Sequence, residues 1–165
     1  MPRLGCTISQ PQPWGSHLCS YYQSSSELQG LVNAYIQVGL EDQEGCLWIL
    51  PHWLTPSAAT TALQRVIPLV HDYLRMGQLE LIPCADWYGL HAPLDTKQIL
   101  ADCSRKIAQV ASRFVGLRVT GDSSWVQSPR PARPVRGIRA CCKRGSGDCQ
   151  CPRLMHLYRY WLDSA

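Results

Sequence analysis

Polar and aromatic side chains gather where apolar runs of this chain end, and they are the residues whose chemistry could serve a binding site. Tyr22 closes His17-Leu18-Cys19-Ser20-Tyr21, and Asp86, Trp87 and Tyr88 follow Leu79-Glu80-Leu81-Ile82. Asp122 and Trp125 follow Phe114-Val115-Gly116-Leu117-Arg118-Val119, while Trp48 and Arg118 lie inside such runs. In an open parallel sheet, ligands bind in the crevice outside the carboxyl ends of the strands. A mostly apolar pocket with a few orienting polar groups is the chemistry this set could provide. The plainer reading makes Trp48 and Trp87 core filler and has Asp86 or Asp122 pair Arg118, because an unpaired charge inside an apolar strand is expensive. Arg118 is read as structural before it is read as a ligand contact. His17 has no His, Asp or Glu at ligand spacing, so it reads as a hydrogen-bonded structural histidine.

Two other chemistries are weighed against this set. Cys141, Cys142, Cys149 and Cys151 could in principle form a tetrahedral thiolate site for zinc, but the paired C-x₂₋₄-C spacing is missing and no metal is assigned. Phosphate binding needs a glycine-rich loop with a Lys, and no G-x-x-x-x-G-K-[ST] occurs. After the Trp48 run the chain reads Pro51-His52-Trp53-Leu54, which is bulky and lacks glycine. Neither a cofactor nor a catalytic residue is expected.

Bulk composition sets the frame. The chain has 165 residues, 45% hydrophobic and 17% charged, enough for one domain with a real core. No apolar run approaches the roughly 20 residues of a membrane helix, and no h-region precedes Cys6, so neither a membrane span nor an export signal is read. The expectation is a cytoplasmic protein with reduced thiols, in which Cys19, Cys46, Cys84 and Cys103 act as small hydrophobes. The net charge of +4 comes largely from Arg and Lys between Arg130 and Arg153, which argues against a nucleic-acid surface on the folded part.

The elements that must hold these side chains alternate between β and α. A strand over His17–Tyr22 leads to a capping box, Ser24 with Glu27, and to a helix whose apolar face is Leu28, Leu31, Val32, Tyr35, Ile36 and Leu40. Cys46–Leu50 reads as a buried strand. Thr55-Pro56 opens a helix with apolar residues from Ala59 to Leu74, which Pro68 should kink or split and Gly77 should end. Leu79–Ile82 is a further strand, with Pro83–Tyr88 as an aromatic, acidic loop. Asp95 and Gln98 cap a helix with Ile99, Leu100, Cys103, Ile107, Val110, Ala111 and Phe114 on its apolar face. The run from Phe114 to Val119 is a buried strand, placing Thr120, Gly121 and Asp122 at its exit. A last strand is expected at Met155–Trp161. Connections too long for hairpins imply an α/β fold, a mainly parallel sheet with helices on both faces.

His17–Tyr22, Tyr35–Leu40, Glu44–Ile49, Gly77–Pro83, Asp86-Trp87-Tyr88 and Gly116–Asp122 with Trp125, taken in order, resemble the MEDS sensory domain. This methanogen/methylotroph domain is named partly for a dichloromethane-responsive regulator. The resemblance spans about residues 14 to 126 and resumes near Met155 to Asp163. It implies a RecA-like, three-layer fold related to the circadian-clock ATPases, and a sensory role toward small hydrocarbon derivatives upstream of PAS and histidine-kinase modules. The partners it implies are a small-molecule ligand and a separate histidine kinase or regulator, with no nucleic acid and no membrane. A degenerate nucleotide-binding ATPase and a protein-interaction adaptor are the rival readings.

The domain reading is a disordered tail over residues 1–13 and a single domain over 14–165. Residues 128–153 are atypical, rich in Pro, Arg, Gly and Cys where the resemblance leads one to expect an amphipathic helix. Back-translating Gly137 to Arg144 and shifting by one base permits Glu-Tyr-Glu-x-Val-Val-Asn, the expected kind of helix. The segment therefore reads as out of frame and as disordered or poorly packed. The alternative of a basic RNA-binding tail lacks stacking aromatics.

Overall fold

The computed structural model describes residues 17–88, 96–122 and 153–160, the last of these as backbone. Its frame is a five-stranded sheet ordered β1-β5-β4-β2-β3. The strands are β1 (His17–Tyr22), β2 (Gly45–Leu50), β3 (Leu79–Pro83), β4 (Leu117–Asp122) and β5 (Arg153–Tyr160). β4, β2 and β3 pair in parallel, and β5 runs antiparallel between β1 and β4. The sheet is therefore a three-stranded parallel core with an antiparallel flank. β5 starts two residues before the strand expected at Met155 and ends one residue before Trp161.

The helices are α1 (Ser25–Glu41), α2 (Pro56–Gln64), α3 (Val70–Met76), α4 (Cys84–Trp87) and α5 (Thr96–Ala111). α1 begins where the sequence places its cap: the Ser24 hydroxyl accepts from the Glu27 amide at 3.2 Å. Glu27 reaches back to the amide of Gln23 at 2.9 Å, one residue earlier than a capping box requires. Thr55 caps α2 at the Ala58 amide, with Pro56 in the first turn. Pro68 splits rather than kinks the expected helix, since it lies between α2 and α3 and has no N–H to give. Gly77 ends α3 at φ 69°, a left-handed cap that costs glycine least.

Alternation along β2 builds both cores. All six of its residues are buried: Cys46, Trp48 and Leu50 face α1, α2 and α3, while Leu47 and Ile49 face α4 and α5. The first core joins them to Val32, Ile36, Leu63 and Val70, and the second to Val110, Leu117 and Val119. These are the helix layers expected on the two faces of an α/β sheet.

Several sequence expectations are corrected. Pro83–Tyr88 is no open loop, because Cys84–Trp87 forms the short helix α4 directly after β3. Thr120, Gly121 and Asp122 stand inside β4, continuing its ladder against β5, so the strand runs three residues further than its apolar stretch suggests. Leu100 is 62% exposed and Phe114 lies past the end of α5, so the apolar face of that helix is narrower than its sequence period implies. Asp95, Trp125, the tail over 1–13, residues 128–152 of the atypical segment, and Cys141, Cys142, Cys149 and Cys151 lie outside the described residues.

Candidate functional site

The sequence-derived binding residues separate into three places. At the carboxyl ends of β1 and β4, Tyr22 and Asp122 are both buried, and the Tyr22 hydroxyl donates to a carboxylate oxygen of Asp122. The ladder explains the meeting. Asp122 lies opposite Met155 of β5, which in turn lies opposite Ser20 of β1, and Tyr22 is two residues on, on the same face as Ser20. Next to Trp48 in register, Thr120 is 1% exposed, and its hydroxyl has no hydrogen-bond partner among the described residues.

Arg118 belongs to the other end of the sheet. Its Nε sits 2.5 Å from Glu44 Oε2, its NH2 group 3.7 Å from Asp42, and a third guanidinium nitrogen donates to the Tyr35 carbonyl at 3.2 Å. The Tyr35 ring lies 4.9 Å from the guanidinium carbon, a cation–π contact inside the core. The expected partners Asp86 and Asp122 are replaced by Glu44 and Asp42 because Arg118 is near the amino end of β4, level with Cys46 of β2. Glu44 is two residues before Cys46 and projects to the same face. That relation could have been found in the sequence only once the parallel register of β2 and β4 was fixed. Trp48 is 1% exposed within the first core.

The third place is a cleft of about 430 Å3 along edge strand β3, walled by α4 and α5. Asp86 and Trp87 of α4 line it beside Ile82 and Pro83 of β3. Tyr88 packs against the second core, next to the same helix. From α5, Lys106 bridges Glu80 at 2.6 Å, and Asp102 pairs Arg105 at 2.9 Å while accepting from Gln98. Cys103 also lines the cleft, and its thiol lies 3.9 Å from the Trp87 carbonyl. Burial pushes the Cys103 thiol above its ordinary range, with the Asp102 charge adding to the effect. Cys84 is raised likewise, by burial first and then by Asp122.

Glu80, Asp102, Cys103 and Lys106 were not singled out from the sequence as site residues. The available signal was Glu80, a charge alternating with Leu79 and Leu81 in an otherwise apolar strand. Asp102 and Lys106 are one turn apart on α5, so they share a face, but nothing local says that the face meets β3. Among the described residues no group of His, Cys, Asp and Glu could hold a metal ion. Nor, among them, is any helix long and apolar enough to cross a membrane.

A parallel core with helices on both faces and an open cleft beside its edge strand defines an α/β domain. A family model described as MEDS, the methanogen/methylotroph, DcmR sensory domain, matches residues 16–141, and the chain belongs to that family. Its role is accordingly sensory. No curated protein and no solved structure matches the chain.

Proposed function

We propose that this is a non-enzymatic, cytoplasmic sensory domain that binds a small hydrocarbon derivative in the cleft between β3, α4 and α5. Binding would be passed on to a separate protein such as a histidine kinase or transcription regulator. The observation that carries the reading is the coincidence of that cleft with Asp86 and Trp87, at the carboxyl end of β3. Its volume of about 430 Å3 lies within the range of small-molecule sites. Ile82, Pro83, Trp87 and Cys103 offer apolar surface, and Asp86 offers an orienting polar group.

The rival nucleotide-binding reading draws less support. The segment between β2 and α2, where a phosphate loop follows the strand in nucleotide-binding α/β proteins, is Pro51-His52-Trp53-Leu54-Thr55. It has no glycine. Pro56 contributes no N–H to the first turn of α2, and the Thr55 hydroxyl already takes the Ala58 amide.

Thermal denaturation against a panel of nucleotides and short neutral or halogenated hydrocarbons tests the proposal, because a ligand that binds the folded state alone raises the melting temperature by mass action. A rise with a hydrocarbon derivative that Trp87→Ala abolishes supports it. A rise with ATP and magnesium alone, or no rise with any compound, rejects it in favour of the ATPase or the adaptor reading respectively.

A further inference from the structure

At the edge of the sheet opposite the cleft, β1 carries a cysteine and a histidine in contact. Leu18 packs against the first core and Tyr22 is buried in it, so the alternation of a strand turns His17, Cys19 and Tyr21 to the other face. All three are exposed there. The Cys19 sulfur lies 3.5 Å from Nε2 of His17. Two ligands of one tetrahedral zinc ion, a thiolate at about 2.3 Å and an imidazole at about 2.0–2.1 Å, stand about 3.5 Å from each other. The sulfur and the ring nitrogen are therefore spaced as two ligands of a single ion.

The ladder supplies a third. No set of three ligands is complete among the residues described with their side chains, but the register of β5 sets His156 directly opposite Cys19. Residues opposite one another in an antiparallel pair share a face with Cβ atoms about 4.5–5.5 Å apart, and diagonal neighbours, as His17 and His156 are, lie about 7–8 Å apart, within reach of aromatic side chains. On its other side His156 is level with Gly121 of β4, which brings no side chain to that face. Spacing along the chain hides this set, because His156 comes from the last strand.

We propose that His17, Cys19 and His156 form a zinc site on the exposed face of the β1–β5 pair, with the fourth tetrahedral position left to water or to an incoming donor. Three protein ligands with one open position are the pattern of zinc sites that engage an exogenous molecule, whereas closed structural sites use four. One thiolate and two imidazoles suit zinc and not magnesium or calcium, which take oxygen ligands. Since the ligands come from both strands, the ion also fastens edge strand β1 to β5, and loading should raise the melting temperature by mass action. The site is separate from the cleft at β3, and neither depends on the other.

The test is cobalt(II) titration of the full chain, reduced and stripped of metal, read from the visible absorption of tetrahedral cobalt and its thiolate charge-transfer band, then reversed with zinc. Cys19→Ser should remove the charge-transfer band. His17→Ala and His156→Ala should each weaken binding at least about tenfold, since losing a ligand costs no less than losing one of its outer-shell partners. His17 and Cys19 are exposed, so their variants should melt as the metal-free parent does. The combined variant Cys141→Ser, Cys142→Ser, Cys149→Ser, Cys151→Ser should keep the band, which separates this site from those thiols. Zinc should also slow the alkylation of Cys19 by iodoacetamide. No tetrahedral spectrum, a spectrum that survives Cys19→Ser, one that vanishes in the four-cysteine variant, or unchanged affinity in His156→Ala overturns the assignment.

Discussion

The Tyr22 hydroxyl donates to the Asp122 carboxylate across the width of β5, joining the carboxyl ends of two strands one hundred residues apart in the chain. Both residues are almost fully buried, at 1% and 4% exposure. The contact therefore ties the flank β1–β5 to the parallel core at the rim where an α/β sheet ends. Removing the hydroxyl leaves a buried carboxylate short of a donor, which costs more than the hydrogen bond contributed. Tyr22→Phe should lower unfolding free energy by about 1–3 kcal/mol in urea denaturation. A change within error would show that the hydroxyl is replaceable by solvent and that the rim is open.

At the opposite end of the sheet, Arg118 and Glu44 form a buried pair supported by Asp42 and the Tyr35 carbonyl. Two desolvated charges add little net stability when together, but either one left alone is costly. Arg118→Met should destabilise by about 3–5 kcal/mol, and Glu44→Leu by a comparable amount. The double variant should recover a large part of the loss, giving a coupling well above that of independent sites. Additive losses would mean that Arg118 acts through its contact with the Tyr35 ring rather than through Glu44.

What could be read from the sequence is what short stretches decide by themselves. The caps at Ser24 and Thr55, the break at Pro68, the stop at Gly77 and the buried strand β2 all rest on local steric and hydrogen-bonding preferences, and the structure has each of them. So does the alternation of strands and helices that sets the fold class. Pairing between distant strands is another matter. Nothing near Arg118 names Glu44 as its partner, and nothing near Met155 says that β5 enters between β1 and β4 and runs antiparallel. The short helix α4 was hidden because four residues carry no helical period. The grouping of site residues suffered in the same way. Tyr22, Asp86 and Asp122 border apolar runs and Arg118 lies inside one, but the register sends Arg118 to one end of the sheet and Asp122 to the other, and only Asp86 and Trp87 share the cleft.

Two glycines of α1 offer a matched comparison. Gly30 is exposed with nothing near its would-be Cβ, so Gly30→Ala should stabilise the protein by about 0.5–1 kcal/mol, the usual gain of Ala over Gly inside a helix. Gly39 meets the sheet. A Cβ there would stand 2.7 Å from Arg118 Cδ and 2.8 Å from Cys46 Sγ. Neither neighbour is a loose chain end, since Arg118 is held by Glu44 and Cys46 is fully enclosed. Gly39→Ala should therefore destabilise by about 1–3 kcal/mol, in the range of overpacked cores, despite the better helix propensity. Thermal melts of the two variants should move in opposite directions, and a stabilised Gly39→Ala would show that α1 lifts easily off the sheet.

Cys46 provides a pH signature of the same junction. Burial pushes its thiol up to about 12, a rise that Arg118 opposes and Glu44 reinforces. In the unfolded chain the group returns to its ordinary value of 9.0, so the folded state binds the proton more tightly. Its contribution to stability is complete below that unfolded value and is lost as the pH rises toward the folded one. Unfolding free energy should thus decline above the unfolded value, with this residue contributing up to about 1.4 kcal/mol per pH unit. Cys46→Ala should remove that part of the slope while lowering stability at neutral pH through the cavity it leaves. Alkylation with iodoacetamide at mildly alkaline pH gives the kinetic counterpart, since the thiolate is the reactive form. Exposed Cys19 should react first among Cys19, Cys46, Cys84 and Cys103, with Cys46 reacting only as the protein unfolds. Modification of Cys46 at the rate of Cys19 in the native protein would mean that the junction of α1, β2 and β4 opens to solvent.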